Sequence, residues 1–283
     1  MEQEKIEQNK NRFVEDLSAK EYHSLNFLSK SKLDNLKKSP EYFKYSMENE
    51  IEESTDAMDF GSLFHCLLLT PGDFQKDFAI EPEVNKRTNE GKAVLEQFYA
   101  DNEGKTIISK KDVEAAALLI ESVKNHPIAG KLVEGGKKEL TIFWEEDGIQ
   151  FKGRLDQLKD GIIVDYKTTT SASPEDFAKK AYDYGYHKQA YLYSKGYEII
   201  TKEKPKAFIF VAVEKAEPYS VCVFVADDTF MRVGQIETEI MLDTYKRCSA
   251  SGNWYGYNGE NPVIIPLSIP RYIENKYMEE IDQ

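Results

Sequence analysis

A chain of 283 residues with 41% hydrophobic content can bury a full core, as one large domain or two small ones. Its formal net charge of −13 argues against a protein that coats nucleic acid through a basic surface, although a local basic channel is compatible with an acidic exterior. The start, Met1-Glu2-Gln3-Glu4-Lys5, has no apolar signal core and no run of eighteen apolar residues occurs, so neither secretion nor membrane spanning is expected and a cytoplasmic protein is. Cys66, Cys222 and Cys248 are too few for a four-cysteine zinc or iron–sulfur site and are expected as buried thiols.

In chain order, residues 1–20 are polar and read as helical at best. Ser29 or Ser31 is placed to cap a short helix, and Ser39-Pro40 to start another. A serine-capped start flanked by Lys30 and Lys32 reads either as an ordinary cap or as a phosphate seat. Residues 48–56 are acidic and loop-like. The run 59–69 reads as a buried helix ended by Pro71-Gly72, with His65 inside it and Gly61 on the same face. On that segment alone, His65 is either a satisfied core histidine or a ligand. Residues 72–106 are loop-rich around a helical stretch at 92–100, and a 3.6-residue apolar stripe predicts a helix over 111–125, ended by His126-Pro127.

From Lys138 the period becomes strand-like. Two Asp-Gly dipeptides, Asp147-Gly148 and Asp160-Gly161, suit type I′ turns and divide residues 139–167 into three antiparallel strands. If Glu146 and Ile149 close the first turn and Lys159 and Ile162 the second, Glu139 faces Asp156, Asp156 faces Asp165, and Arg154 faces Lys167, all on one side of the sheet. Facing carboxylates destabilise a sheet and ask for a cation; a hard divalent ion held by oxygens is the natural one. The alternative is an exposed face laced with ion pairs.

In that arrangement Asp156, Asp165 and the Tyr166 carbonyl would hold Mg²⁺ or Mn²⁺, Glu139 a second ion or its waters, and Lys167 would orient a bound water or stabilise developing charge. Ser173-Pro174 then opens one long helix through Gln189 and Tyr193, which share a face, to about residue 200. Strands at 206–213 and 219–225, a helix at 228–248 stopped by Gly252, and an extended tail packed on the body complete the chain. The element order predicts one α/β (α+β) domain over 1–283: a helical N-terminal wall at 1–135, a central mixed sheet with flanking helices at 136–250, and the tail at 251–283.

Asp156 followed by Asp165-Tyr166-Lys167 matches the D…(D/E)-x-K core and resembles the PD-(D/E)XK nuclease superfamily. Gly61-Ser62-Leu63-Phe64-His65 is similar to the G-x-x-x-H helix of its RecB-like subgroup, and Gln189-Ala190-Tyr191-Leu192-Tyr193 to the Q-x-x-x-Y helix. Ser31-x-Leu33 with Ser39-Pro40, Glu139 before Trp144, Gly153-Arg154-Leu155-Asp156 and Trp254-x-x-Tyr257 resemble the RecE-type (exodeoxyribonuclease VIII-like) phage and prophage exonucleases over nearly the whole chain. The departures are that the second acid is Asp rather than Glu and that Leu155, not proline, precedes Asp156.

The resemblance implies a Mg²⁺-dependent 5′→3′ exonuclease acting on ends of double-stranded DNA in a bacterial cytoplasm, with one or two ions per site. It implies a RecT-type annealing partner for the 3′ strand left behind, and a ring-shaped homo-oligomer, trimer or tetramer. It adds His65 to the metal ligands and makes Gln189, Tyr193, Arg154, Ser29 and Ser31 candidate DNA contacts. A restriction- or repair-type endonuclease, or a non-catalytic DNA-end-binding module of the same fold, would share most of these residues.

Overall fold

Both Asp-Gly dipeptides turn the chain as their chemistry dictates. Asp147 and Gly148 have φ of 52° and 76°, and Asp160 and Gly161 have 52° and 81°, the left-handed pair that a type I′ turn requires. The computed structural model describes residues 11–49 and 55–277, so the expected acidic loop at 48–56 and the first ten residues lie largely outside the described ones. The strands are β1 (Arg12–Val14), β2 (Phe78–Ile80), β3 (Thr106–Ile108), β4 (Lys137–Glu146), β5 (Ile149–Lys159), β6 (Ile162–Thr169), β7 (Ala207–Glu214) and β8 (Val221–Val225). The helices that matter below are α1 (Ala19–Ser24), α2 (Lys30–Asp34), α3 (Pro40–Glu48), α4 (Asp56–Leu69), α5 (Asn89–Asp101), α6 (Lys110–Asn125), α7 (Pro174–Asp183), α8 (Tyr186–Thr201) and α9 (Asp228–Ser251).

A six-stranded mixed sheet runs β1-β4-β5-β6-β7-β8, with β6 and β7 parallel and the other neighbours antiparallel. Helices cover both faces, which is the expected α/β class. Glu146 pairs with Ile149 and Lys159 with Ile162, so each turn sets its hairpin's register. Leu140 pairs with Leu155 and Lys138 with Gln157, which leaves Glu139 opposite Asp156 in the step between. The β5–β6 ladder ends at Gln157–Val164, so neither the expected Asp156–Asp165 pair nor the expected Arg154–Lys167 pair is made. Two like charges would have faced each other there. The Tyr166 N–H donates instead to the Asp156 carboxylate, at 2.7 Å.

The strand faces also depart from simple alternation at one place. Leu155 packs with Leu140, Ile142 and Trp144 in the core under α8. Gln157, two residues on, is bonded to the Tyr166 hydroxyl, which belongs to the core under α4 and α6. Alternation therefore reverses once at Asp156, where the neighbouring strand carries Glu139 at φ 48°. The expected single face for all four charged residues becomes two groups: Glu139 and Asp156 turn toward α4, while Asp165 and Lys167 stay toward α8.

Four expectations need correction. Residues 12–14 are not helical but form edge strand β1 on β4. Residues 72–106 contain β2 and β3, a parallel pair whose Phe78 and Ile108 close a small core with Leu63 of α4 and Ala116 of α6. The helix expected from 174 to 200 is broken into α7 and α8 at Gly185, which sits at φ 68°; only glycine takes that conformation without steric cost, and a Cβ there would lie 2.7 Å from Lys188 Cε. The tail is anchored near its start, where Trp254 stacks on Phe43 at 5.4 Å and Glu260 pairs with Arg247 at 3.5 Å; Ile264 and Leu267 beyond it are 98% and 102% exposed. Cys66 and Cys248 are buried and Cys222 half-buried, and all three are free thiols.

Candidate active site

The reversal at Asp156 brings β4 and β5 carboxylates to a histidine that arrives from the opposite layer. Thr55 caps α4 by accepting from the Met58 N–H, and the helix buries Leu63, Phe64, Leu68 and Leu69 against the sheet and α6. That packing presents His65 to the strand ends. Its Nδ1 lies 3.5 Å from Asp156 Oδ2 and 4.0 Å from Glu139 Oε1, and its Nε2 lies 2.7 Å from the Tyr166 carbonyl oxygen. One imidazole nitrogen and two carboxylates thus converge, with the Tyr166 carbonyl on the ring's other nitrogen, and the ligand atoms of His65, Glu139 and Asp156 all fall within 4.8 Å of one another.

Their electrostatics follow from burial and from one another. Burial, reinforced by Asp156, pushes Glu139 up to about 7. Burial likewise lifts Asp165 to about 6, against the pull of Lys167. Burial opposes charge on His65, but Asp156 and Glu139 outweigh it and raise the imidazole to about 9. Asp156, the carboxylate closest to that imidazole, is held below its usual value by His65 although burial opposes it. A doubly protonated His65 fits both contacts, donating from Nε2 to the carbonyl and from Nδ1 toward the carboxylates. An imidazole nitrogen with two carboxylates suits a hard or borderline divalent ion such as Mg²⁺ or Mn²⁺. The donor set therefore fits a metal.

Asp165 is placed differently from Asp156. Its Oδ2 is 2.6 Å from Lys167 Nζ and its Oδ1 accepts from Gln189 Nε2, also at 2.6 Å. Both of its oxygens are thus engaged from the α8 side, and Asp165 is not among the three clustered ligands. Burial opposes the charge on Lys167, but Asp165 and Asp156 outweigh it and keep the ammonium protonated. That ammonium also lies over the Tyr186 ring, 4.8 Å from its centroid.

The other candidates make contacts within the protein in this geometry. Tyr193 is seated on Gly153, where a Cβ would approach its ring to 2.7 Å, so the glycine is what lets α8 lie close enough for Gln189 to reach Asp165. The Arg154 guanidinium stacks on Tyr22 and donates to the Leu17 carbonyl at 2.8 Å, tying α1 to the sheet. Ser29 caps α2 by accepting from the Lys32 N–H, and its hydroxyl is 3.0 Å from that of Ser31; neither serine touches the carboxylates. His126 caps α6 and accepts from two N–H groups of the next turn, a local role. Sequence reasoning passed over Tyr186, although its place three residues before Gln189 on one helix face was a usable signal.

An Asp…Asp-x-Lys constellation on this mixed sheet, with a histidine delivered from a flanking helix, defines the PD-(D/E)XK-like class. The chain belongs to the family described as "PDDEXK-like domain of unknown function (DUF3799)", whose model matches residues 29–264. It is similar in fold to the crystal structure of a "Putative exonuclease" from Eubacterium rectale, with a TM-score of 0.62 and 17% identity, covering 93% of this chain and 98% of that one. A second solved structure, SSO0001, is 15% identical with a TM-score of 0.28 over 75% of this chain and 83% of its own, and carries no argument. No curated protein matches the sequence.

Proposed function

We propose that the protein is a divalent-metal-dependent exodeoxyribonuclease that degrades linear double-stranded DNA from its ends, 5′ to 3′, leaving a 3′ strand for an annealing partner of the RecT type. The observation that carries this reading is the convergence of His65, Glu139 and Asp156 beside the Asp165–Lys167 pair, with the Tyr166 carbonyl holding the far side of the imidazole. Mg²⁺ or Mn²⁺ held by those donors would polarise a phosphoryl oxygen and lower the pKa of a bound water. The described residues offer one such cluster, which supports one ion rather than two.

The chain's own groups have separable tasks. Lys167, kept charged by Asp165, positions the attacking water and offsets negative charge on the transition state. Gln189 holds the Asp165 carboxylate so that its other oxygen faces Lys167. The 5′→3′ direction, the annealing partner and a homo-oligomeric ring rest on the resemblance to RecE-type enzymes; the exposed apolar tail lends support to self-association.

Digestion of end-labelled linear duplex with Mg²⁺, comparing 5′ and 3′ labels, tests activity and direction together. Asp165→Asn and Lys167→Ala should each lower the rate at least about 100-fold. Gln189→Ala should lower it about 10-fold or more, since it leaves a charged, buried acceptor unpaired. Cleavage of circular duplex at a rate equal to that of linear would replace this reading with an endonuclease. Intact linear duplex with no Mg²⁺ or Mn²⁺ binding by calorimetry would leave a binding module.

A further inference from the structure

Past Lys167, β6 runs out into Thr168-Thr169-Thr170, and these hydroxyl-bearing residues line a recess of about 80 Å³ beside the carboxylates. Lys180 of α7, Lys215, which follows β7, and the rings of Tyr184 and Tyr186 also line it. The Lys180 ammonium bonds the Thr170 hydroxyl and is 3.4 Å from Thr169 Oγ1. Lys215 lies over Phe60, 5.7 Å from the ring centroid. Among the described residues, neither lysine has a carboxylate oxygen within 4.0 Å. The acids nearby are committed elsewhere: Asp176 accepts from the Ser171 and Ser173 hydroxyls, and Glu214 from the Ala172 N–H. Neither half-buried cation has a carboxylate in contact in a molecule of net charge −13, although Asp176, one helical turn before Lys180, lies within its electrostatic reach.

The tyrosine rings add a flat apolar surface. Tyr184 is 62% exposed and stacks on Tyr186 at 5.8 Å with an interplanar angle of 28°. Tyr186 in turn carries the Lys167 ammonium, so recess and reacting centre share a wall. We propose that this recess binds a phosphate of a single nucleic-acid strand, the one adjacent to the reacting phosphate, with the neighbouring unpaired base stacked on Tyr184. Lys180, Lys215 and the threonine hydroxyls supply the charge and donors that a phosphodiester needs. Base stacking on an exposed tyrosine requires no particular sequence, which suits an enzyme that must accept every nucleotide in turn. The assignment rests on the nuclease reading and adds to it where the frayed strand is held.

The test compares wild type with Lys180→Gln/Lys215→Gln, Tyr184→Ala and the conservative Tyr184→Phe. Steady-state digestion of linear duplex is read for kcat and KM, and fluorescence anisotropy of a short oligo-dT in EDTA is read across a salt series. The double lysine variant should raise KM about 10-fold with kcat held, and lower the salt slope of oligo-dT binding by about 0.7, the value for one lost phosphate contact on a single strand. Tyr184→Ala should weaken oligo-dT at least about 5-fold while Tyr184→Phe binds as wild type, because only the ring face is used. Wild-type melting temperatures for the variants would assign these losses to binding rather than folding. Unchanged KM, affinity and salt slope in the double variant, with wild type active, would overturn the recess and leave the nuclease standing. A wild-type protein that neither cuts duplex nor binds oligo-dT would overturn both.

Discussion

His65 shows how far a single residue can be read. In the sequence it is a polar residue in an apolar helix, a pattern that packing alone also produces; only its order relative to Asp156, Asp165 and Gln189 gave it a metal role. In the structure its ring bridges the Tyr166 carbonyl and two carboxylates. The shifts of His65 to about 9, Glu139 to about 7 and Asp165 to about 6 share one sign, since in each case the folded protein holds a proton that the unfolded chain releases earlier. The His65 contribution is complete below its ordinary value of 6.5 and lost by about 9; the two acids begin to destabilise once pH passes their ordinary values of 4.5 and 3.8. Asp156 is shifted downward, and its contribution is already complete below that range. In a chelator, the melting temperature should therefore fall between about pH 4.5 and 9, by on the order of 5 °C. Added Mn²⁺ should recover most of this at the alkaline end, where His65 no longer has to surrender a proton. A melting temperature that is flat in pH, or metal stabilisation greatest at acid pH, would contradict the arrangement.

At the scale of elements, turn chemistry was the most legible feature. Asp147-Gly148 and Asp160-Gly161 fix two hairpins, and these bring Glu139, Asp156 and Asp165 onto neighbouring strands as the sequence implied. The reversal at Asp156 was not legible, because it arises from a left-handed backbone at Glu139 that no propensity favours. Nor was the break at Gly185, since tyrosines run on at helical spacing through both α7 and α8. Strands β1, β2 and β3 have three residues each, too few to establish a period. The recess combines four separate segments and leaves no local trace. Gly153 tests how the helix is seated. Gly153→Ala would set a Cβ 2.7 Å from Tyr193 Cε1 and 3.2 Å from Ile142 Cγ1, and should cost about 1–3 kcal/mol. Gly196→Ala, which would meet Trp144 at 2.8 Å further along α8, should cost a similar amount. Activity should fall more for Gly153→Ala, because that end of α8 carries Gln189. Denaturant melts with nuclease rates separate the two effects; equal activity losses would mean that Gly153 does not position the site.

Across the whole molecule, charge and apolar surface are distributed unevenly. Most apolar side chains lie in cores on the two faces of the sheet, yet the segment Asn261-Pro262-Val263-Ile264-Ile265-Pro266-Leu267-Ser268-Ile269-Pro270 leaves its aliphatic residues largely in solvent. Prolines at 262, 266 and 270 remove backbone donors there, so the segment cannot satisfy itself as a helix. Such a strip, carried by a body of net charge −13, would set two forces against each other: apolar contact would draw copies together, and like charge would hold them apart. Only the second is screened by salt. Sedimentation mass should therefore rise between about 20 mM and about 300 mM salt, over which the screening length falls from roughly 20 Å to about 6 Å. Ile264→Ser/Leu267→Ser should hold the mass constant, and a wild-type mass insensitive to salt would refute the balance. Ionic strength, rather than protein concentration alone, would then govern how many copies of this chain act together on one substrate.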